Sequence, residues 1–458
     1  MKKNVVKKNQ LITIEITDIT SQGSGVGHYE GFAVFVPLTA IGDTVEVKIV
    51  KVQKNYAYGI INKMLIPSAK RIEPDCPVFA KCGGCAFRHI NYDAELEVKD
   101  REVRDAFERI GKVSIELEPI VGCDNVDHYR NKAVHAIGSE NGEIVSGFYA
   151  RRSHRIIPVT DCKLHPEEFA RINDCIADYA MKHEIQPYDE EKHNGMLRNV
   201  FIRQGYNSGE IAVCLVTLKK NANELSGLAT ALTEEFKNIK SVVMNFNPNR
   251  TNVILGEHNI LLAGTDTIKD PMCGNIITLS PHSFYQINTA QAEKLYGIVG
   301  EYANLSNDET LIDMYCGAGT IGLSLASQVK EVIGIEIVPA AIENAKRNAQ
   351  TNGISNTRFI CADASHAAST LIEEGISPDV IVLDPPRKGC DQKTLDAVVQ
   401  LAPSRIVMVS CNPATAARDI AILQDSGYTA VKGRAVDMFP RTGHVECVVL
   451  MSRAKNQV

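Results

Sequence analysis

The sequence has no long apolar run, no excess of positive charge, and no repeat or low-complexity tract. An uninterrupted apolar stretch of about 18 residues would predict a membrane-spanning helix, and none is present. The basic start MKKNVVKKNQ is not followed by an apolar segment, so it does not have the pattern of a secretory signal. A net charge of −6 gives no sign of a nucleic-acid partner, although RNA binding needs only a basic face. We expect a cytoplasmic globular protein with no membrane association and no evident obligate protein partner.

Cysteine is present in an odd number, 13, and without a secretion signal. This usage argues against a disulfide framework and indicates reduced thiols, a few of them with metal-binding or catalytic roles. Cys76, Cys82 and Cys85 are close together in CPVFAKCGGC, and Cys162 lies in VTDCKLHP. Such a density indicates metal binding. The five-residue first gap is longer than tetrahedral zinc prefers, while four thiolates also suit an iron–sulfur cubane, so spacing alone leaves both metals open.

The organisation of the chain changes twice along its length. Residues 10–66 carry short apolar alternations between Gly-rich turns, a pattern that predicts a small β-barrel. A helical pattern at 94–111 interrupts the cysteine-bearing region. Residues 186–279 carry further strand-like segments, which are NVFIRQ, EIAVCLVTL, KSVVMNF, TNVILG and NIITLS. After residue 290, apolar runs alternate with helix-length segments, which predicts a parallel, doubly wound α/β sheet.

The segment DMYCGAGTIG, residues 313–322, is a candidate cofactor turn. Gly317, Gly319 and Gly322 form a G-x-G-x-x-G pattern between a predicted strand and helix, where backbone N–H groups can approach a ligand closely. Glu336 ends the next predicted strand, at the place where an acid can bind ribose hydroxyls. These residues fit NAD and S-adenosylmethionine alike.

Asp384 favours S-adenosylmethionine over NAD. It begins the DPPR sequence at the end of the fourth predicted strand, and this motif resembles the substrate-side motif of nucleic-acid methyltransferases. Asp363, after the third strand, either contacts the adenine of the cofactor or caps the following helix, and both interpretations stay open.

Cys411 lies where the apolar strand RIVMVS ends, directly before Asn-Pro. Ligands of open α/β sheets bind beyond the carboxyl ends of the strands, and Asp313, Glu336, Asp384 and Cys411 are all predicted to lie there. If HVECVVLM is an antiparallel last strand beside the strand that carries Cys411, its first residues bring Glu446 to the same edge. The sequence therefore predicts a cysteine and a carboxylate in one site.

A cysteine and a carboxylate in one site suit methylation of uracil at C5. C5 is too weak a nucleophile to take a methyl group unaided, but addition of a thiolate to C6 makes it electron-rich. Cys411 is the predicted nucleophile, and Glu446 the predicted base that removes the C5 proton. The target base has to be unpaired or flipped out of a duplex to be reached.

These motifs together resemble the RNA uracil-C5 methyltransferases, which make 5-methyluridine. SCNPATAARD resembles the nucleophile motif of that family, GHVECV its general-base motif, and SPHSFYQIN the segment that opens its catalytic domain. The resemblance implies that Phe284 stacks on the flipped base. It also implies cofactor contacts by Gln286, Tyr315, Glu336 and Asp384.

The N-terminal region indicates a branch of this family. Residues 10–66 resemble a TRAM domain, an OB-like RNA-binding barrel that the tRNA-modifying bacterial branch lacks, and the ribosomal branch carries the cysteine pattern. The resemblance thus implies a [4Fe–4S] cluster and 23S rRNA as substrate. The implied domains are a TRAM barrel (1–68), a central α+β iron–sulfur domain (69–275) and a class I methyltransferase domain with a seven-stranded sheet (276–458).

Basic residues near the cysteines are the candidates for contacts with RNA phosphates. Arg130 and Lys132 lie in HYRNKAVHAI, and RRSHRI contributes Arg151, Arg152 and Arg155. Each phosphate contact would make RNA binding depend on salt.

Two other functions compete with uridine methylation. Cytosine-C5 methylation also uses a cysteine that attacks C6, but those enzymes usually place it after Pro-Pro, where this chain has Arg387. A non-catalytic, RNA-binding iron–sulfur protein is the other alternative, and the presence of Cys411, Glu446 and Asp384 together argues against it.

Overall fold

The computed structural model describes residues 5–151 and 153–453, and this part begins with a closed five-stranded barrel of order β1-β2-β3-β5-β4. The strands are β1 (Leu11–Ile19), β2 (Ser24–Tyr29), β3 (Phe32–Pro37), β4 (Thr44–Val52) and β5 (Tyr56–Ile66). Successive side chains of a strand point to opposite faces, so Ile12, Ile14 and Ile16 fill the barrel while the residues between them face solvent. The predicted barrel is confirmed.

The first helix follows a stretch, residues 67–91, that contains only isolated β-bridges. α1 (Tyr92–Asp105) begins after Asn91, whose side chain accepts a hydrogen bond from the Ala94 N–H. A π-helical turn, Ala106–Gly111, continues α1, and β6 (Glu116–Val121) comes next. The helical pattern predicted at 94–111 is confirmed.

A seven-stranded sheet of order β13-β12-β11-β10-β7-β8-β9 forms the centre of the chain. Its strands are β7 (Lys132–Glu140), β8 (Glu143–Tyr149), β9 (Ile156–Pro158), β10 (Leu197–Gln204), β11 (Ile211–Thr217), β12 (Ile239–Phe246) and β13 (His258–Gly264). Two helices that the sequence analysis did not predict, α2 (Glu167–Lys182) and α3 (Asn223–Glu235), share a buried core with one face of this sheet.

One predicted strand of the central sheet is wrong. TNVILG, residues 251–256, forms a loop, and the strand begins only at His258. The amide groups of Asn245 and Asn247 bind backbone groups of this loop, including the carbonyl oxygens of Val253 and Gly256. These side-chain partners replace the strand partners that the backbone would otherwise need.

The last part of the chain forms an antiparallel pair, β14 (Ile268–Met272) with β15 (Asn275–Leu279), and then a doubly wound sheet. The sheet has the order β18-β17-β16-β19-β20-β22-β21-β6. Its remaining strands are β16 (Thr310–Met314), β17 (Glu331–Glu336), β18 (Thr357–Cys361), β19 (Val380–Leu383), β20 (Arg405–Ser410), β21 (Tyr428–Val436) and β22 (Glu446–Arg453). The helices are α4 (Thr289–Ala303), α5 (Thr320–Leu325), α6 (Pro339–Thr351), α7 (Ala364–Glu373), α8 (Gln392–Leu401) and α9 (Pro413–Asp425).

The pairing in this sheet confirms the predicted antiparallel last strand but adds one strand to the predicted seven. β22 pairs antiparallel with both β20 and β21, and the eighth strand, β6, pairs in parallel with β21. β6 joins this sheet because Leu117 and Ile120 pack against its hydrophobic core. α1 and β6 thus lie within the predicted central domain, 69–275, but pack on the third.

A buried network of charges joins α1 to the segment after β21. Lys99 donates to a carboxylate oxygen of Glu95 and to one of Asp437, both at 2.7 Å, and all three side chains are almost fully buried. The hydroxyl of Tyr92 donates to the other oxygen of Asp437 at 2.8 Å. Arg441 approaches Glu95 with its guanidinium and donates its backbone N–H to the same carboxylate. Each charge in this network is therefore paired inside the protein.

Residues 437–445, which we call the hub loop, lead from β21 to β22 and contact three other parts of the chain. The Ala86 N–H, next to the cysteine Cys85, donates to the carbonyl of Arg441 at 2.8 Å. A β-carbon on Gly443 would lie 1.6 Å from the carbonyl oxygen of Ser21 in the barrel, so only glycine permits this approach. The barrel, the cysteine segment and α1 therefore converge on the loop that precedes Glu446.

No helix among residues 5–151 and 153–453 combines the length and the apolar character that crossing a membrane requires.

Candidate active site

The carboxyl ends of four neighbouring parallel strands carry the predicted site residues. Asp313 lies near the end of β16, Glu336 ends β17, Asp384 follows β19, and Cys411 follows β20. The order β17-β16-β19-β20 makes these strands consecutive in the sheet, so the four side chains belong to one edge. Open α/β sheets bind ligands at this edge.

Glu446 reaches the same edge from the antiparallel strand β22. Ser410, the last residue of β20, is opposite Cys447 of β22, so the chain continues from there to Cys411 on one strand and back to Glu446 on the other, and the charge of Glu446 acts on the pKa of the Cys411 thiol. Opposed residues of paired strands project to the same face of a sheet. The pairing register thus brings together two residues that lie 35 positions apart in the sequence.

The turn after Cys411 is fixed by hydrogen bonds. The Asn412 side chain caps α9 by accepting the Ala414 N–H at 3.1 Å, and Pro413 occupies the first turn of the helix. The Asn412 amide also donates to the carbonyl of Arg387 at 3.0 Å, which ties this turn to the DPPR segment. Cys411 is therefore held, half-buried, between a strand end and a helix start.

The electrostatics of the site raise the pKa of both residues. Burial, and secondarily the charge of Asp384, raises the pKa of Glu446 to about 8. Burial and the nearby charges of Glu446 and Asp384 raise the pKa of Cys411 to about 11, while Arg387 acts in the opposite direction. A carboxyl group with a pKa near the working pH suits a general base. In the free protein at neutral pH, a minor fraction of Glu446 is therefore ionised, and the thiol of Cys411 is almost entirely protonated.

Four carboxyl groups, which we call the acidic arc, line the edge without basic partners. Among residues 5–151 and 153–453, no ion pair within 4.0 Å joins Asp313, Glu336, Asp384 or Glu446 to a basic side chain. Burial and the charge of Asp313 raise the pKa of Asp384 to about 7. Burial also raises the pKa of Asp313 to about 7, although the hydrogen bond from the Gly322 N–H acts in the opposite direction. One oxygen of Asp313 is buried and has no hydrogen-bond partner. The arc is thus suited to a positively charged ligand.

The Gly-rich turn holds two members of the arc. The Gly322 N–H donates to Asp313 at 2.8 Å, and a β-carbon on Gly322 would lie 2.9 Å from the same oxygen. Gly317 donates its N–H to Glu336 at 3.2 Å. Gly317 and Gly319 both have positive φ, of 54° and 80°, a backbone conformation that favours glycine. The glycines therefore permit a tight turn that also orients the carboxylates.

Three further residues predicted to bind the cofactor have other contacts in the structure. The hydroxyl of Tyr315 donates to Thr394 of α8 at 3.2 Å. Asp363 caps α7 by accepting the His366 N–H at 3.0 Å, which is the second of its two interpretations. Gln286 is buried, and Asn131 binds its backbone carbonyl at 2.8 Å.

Phe284, Arg130 and Lys132 are the residues predicted to bind the RNA substrate, and Lys132 is the first residue of β7. Phe284 is 65% exposed, which is unusual for so large an apolar residue. Lys132 is opposite the buried Arg203 in the β7–β10 pair. Burial and the charges of Arg203 and Arg130 lower the pKa of Lys132 to about 8. Within the described ranges no acidic side chain pairs with any of these three cations at 4.0 Å or less.

Sequence reasoning missed three residues of this region. Arg203 donates to the carbonyl oxygens of Ser280 and Ser283 and so supports the segment that carries Phe284. Tyr296 on α4 lies within electrostatic reach of Asp384, Asp313 and Glu446. His444 lies beside Arg387, with 3.2 Å between its Nδ1 and an arginine nitrogen. Only the position of His444, two residues before Glu446, was a sequence signal that could have found it.

The four clustered cysteines are half-buried and lie near one another. The charge of Cys76 acts on the pKa of Cys82 and Cys162, and those two in turn act on Cys85, whose pKa burial raises to about 12. Over the part of the chain that the structure describes, no group of three or more His, Cys, Asp or Glu side chains is arranged to hold a metal ion. The Arg151 guanidinium donates to the carbonyl of Cys85, whereas Arg152 lies outside the described residues.

Two family models match the chain. The model described as tRNA (Uracil-5-)-methyltransferase matches residues 91–454, and the TRAM domain model matches residues 5–61. An RNA methyltransferase of Clostridium tetani is 42% identical over 453 residues, which cover 99% of this chain and 98% of the relative. Another RNA methyltransferase, from Halalkalibacterium halodurans, is 43% identical over 447 residues, covering 97% of this chain and 98% of the relative.

The fold is similar to that of a solved structure across almost the whole chain. The tRNA (uracil-54, C5)-methyltransferase of Pyrococcus abyssi, in complex with S-adenosyl-L-homocysteine, aligns with a TM-score of 0.76 and 26% identity. The alignment covers 96% of this chain and 100% of that one, and it confirms the predicted class I methyltransferase fold. The chain is an RNA methyltransferase and belongs to the tRNA (uracil-5-)-methyltransferase family.

Proposed function

We propose that the protein methylates uridine at C5 in 23S rRNA, using S-adenosylmethionine and a covalent bond between Cys411 and C6 of the uracil. The observation that carries this proposal is the pairing of β20 with β22, which brings a cysteine near a buried carboxyl group of raised pKa at the ligand-binding edge. Membership of the family supports uracil C5 as the modified atom.

The two residues divide the reaction between them. Cys411 gives its thiol proton to solvent, the resulting thiolate forms a bond to C6, and the electron pair of the C5–C6 double bond moves to C5 and O4. C5 then carries enough electron density to gain the methyl group. Glu446 takes the proton from C5, the double bond forms again, and the sulfur leaves as thiolate. The enzyme regains its starting state once Glu446 releases this proton and the Cys411 thiolate takes one up.

The acidic arc fits S-adenosylmethionine better than a neutral or anionic cofactor. This cofactor supplies an electrophilic methyl group on a positively charged sulfonium. Asp313, Glu336 and Asp384 would hold it, because their carboxylates have no basic partner among the described residues. Gly317 and Gly319 would let it approach the backbone, and Gln286, Tyr315 and Asp363 remain proposed contacts.

The RNA would enter beside Phe284. A flipped uracil could stack on this exposed ring, since aromatic side chains form sequence-tolerant platforms for unpaired bases. Arg130 and Lys132 would bind the adjoining phosphates, which supply the negative charge that these cations lack within the protein.

The ribosomal target is inferred from the barrel and the cysteines, which resemble the ribosomal branch. A transfer RNA target is the second candidate, because the solved structure that aligns with the chain is named for position 54 of tRNA. Cytosine-C5 methylation is disfavoured by Arg387, which stands where those enzymes usually carry their cysteine.

Nucleoside mass spectrometry would test this function. Total RNA from a strain that lacks the protein would be incubated with anaerobically purified enzyme and labelled S-adenosylmethionine, and 23S rRNA and tRNA would be digested separately. We expect labelled 5-methyluridine in 23S rRNA, and none with Cys411→Ala. Label in tRNA or in 5-methylcytidine would contradict the substrate, and no label in either RNA would contradict the function.

We also propose that Cys76, Cys82, Cys85 and Cys162 bind a [4Fe–4S] cluster, with zinc as the alternative. The support is a set of four thiols near one another and two arginines, Arg88 and Arg151, whose charges favour the thiolates of Cys85 and Cys82. Since no three of these thiols are arranged to hold a metal, the loop of residues 76–85 would have to adjust as the metal binds.

Metal analysis would separate the two metals. We expect anaerobically purified protein to contain about four iron atoms and four sulfides per chain, with broad visible absorption. Cys162→Ser should lose most of the iron, whereas Cys175→Ser, at a half-buried cysteine of α2, should retain it. Stoichiometric zinc without sulfide would contradict the cluster.

A further inference from the structure

His444 lies two residues before the proposed base Glu446, in the segment that leads into β22. Its side chain is exposed, whereas Val445, Glu446 and Cys447 are buried. Arg387 contacts the imidazole of His444, and the charges of Arg387 and Glu446 both act on the pKa of Cys411. Arg387 therefore connects His444 to the part of the sheet edge where Cys411 and Glu446 lie.

Two contacts fix the imidazole of His444. Its Nδ1 lies 3.2 Å from a guanidinium nitrogen of Arg387, in the DPPR segment. The ring of Phe439 packs against it edge to face, with 5.9 Å between the centroids. Arginine has only donors, so Nδ1 accepts this hydrogen bond and the imidazole proton resides on Nε2. Arg387 thus selects one tautomer, in which Nε2 is a hydrogen-bond donor.

The ring remains neutral at physiological pH. Partial desolvation, together with the charges of Arg387, Arg130 and Lys99, lowers the pKa of His444 to about 4. No carboxylate lies within ion-pair distance of His444 in the described part of the chain, and the side chain keeps one exposed side. The site therefore contains a fixed, neutral N–H donor without a partner in the protein.

We propose that the Nε2–H of His444 donates a hydrogen bond to O4 of the target uracil and so selects uracil against cytosine. The inference rests on the proposed function. If Cys411 bonds to C6 and Glu446 faces C5, the next ring atom on the side of His444 is C4. Uracil has an oxygen acceptor there, whereas cytosine has an amino group whose hydrogens would face another donor.

The same hydrogen bond would assist the addition step. When the thiolate bonds to C6, negative charge develops on O4, and a donor already in place stabilises that charge without reorganisation. Loss of His444 should therefore lower kcat as well as discrimination between bases.

The test compares three enzymes on matched RNAs that carry uridine, 4-thiouridine or cytidine at the target position. Sulfur is the weaker acceptor, so wild type should lose about tenfold in kcat/KM on 4-thiouridine. His444→Ala should be about 10- to 100-fold slower on uridine and should show little further loss on 4-thiouridine. His444→Gln retains an N–H donor and should lie between the two. The intrinsic reactivity of 4-thiouridine affects both enzymes equally, so it cancels when the penalty of wild type is compared with that of His444→Ala.

The controls separate failure of this inference from failure of the proposed function. His258→Ala changes an exposed histidine at the start of the edge strand β13 and should behave as wild type. Failure of wild type to form a Cys411-dependent adduct with uridine RNA would overturn the proposed function itself. With the adduct present, an equal penalty for 4-thiouridine in wild type and His444→Ala would overturn only the role of His444.

Discussion

Glu446→Gln is expected to convert the enzyme into a covalent trap for its RNA. Glutamine cannot accept the C5 proton, so the reaction should stop after Cys411 has bonded to C6 and the methyl group has been gained. Release of the sulfur requires that proton to leave. We expect turnover to fall by about 10²–10⁴-fold, while an RNA–protein complex that survives denaturation accumulates to nearly one per active enzyme.

A denaturing gel with end-labelled RNA would measure this trap. Cys411→Ala and the double variant Cys411→Ala with Glu446→Gln should form no adduct, because both lack the attacking sulfur. Mass spectrometry of the trapped peptide should find one nucleotide bonded to Cys411, with one methyl group on its base. Free, methylated RNA released at the wild-type rate by Glu446→Gln would refute the role of Glu446 as base.

Lys99→Met is expected to destabilise the protein by about 3–5 kcal/mol. The substitution removes the cation that Glu95 and Asp437 share, so the buried Asp437 loses its ion-pair partner and the buried Glu95 keeps only Arg441, at 3.5 Å. Charges that lose their partner in a buried site cost far more than charges at a surface, because water cannot replace the partner. The midpoint of urea unfolding, followed by circular dichroism, would report the change.

Lys70→Met provides the matched control for that measurement. Lys70 pairs with Glu97, and the two side chains are 37% and 53% exposed, so its loss should cost less than about 1 kcal/mol. Similar shifts in the two variants would show that burial does not set the strength of the network around Lys99.

The catalytic sheet could be predicted because its signals are local. β16, β17, β19 and β20 are short, mainly apolar runs, and each has a polar site residue at or next to its carboxyl end, where ligands of such sheets bind. The meeting of Cys411 and Glu446 required one assumption beyond local pattern, the antiparallel insertion of the last strand, and the β20–β22 pairing confirms it.

Other features had weak signals or none. α2 carries apolar residues at helical spacing, including Phe169, Ile172 and Ile176, so its amphipathic pattern was present but not used. In contrast, Lys99 and Asp437 are 338 positions apart, and nothing near either residue indicates the other. In the sequence, Arg203 is indistinguishable from an ordinary strand residue. Only the fold shows that its guanidinium donates to the carbonyl oxygens of Ser280 and Ser283.

The hub loop limits how far the parts of this chain can be exchanged with those of relatives. Barrel and methyltransferase domains look like separable modules in a sequence, yet Gly443 lies so close to the Ser21 carbonyl that no side chain would fit between them. In a chimera whose barrel has a different loop at residues 20–23, that loop would clash with the hub loop, which leads directly into Glu446. Inheritance of the barrel, α1 and residues 437–445 as one unit is therefore the condition for a working hybrid enzyme.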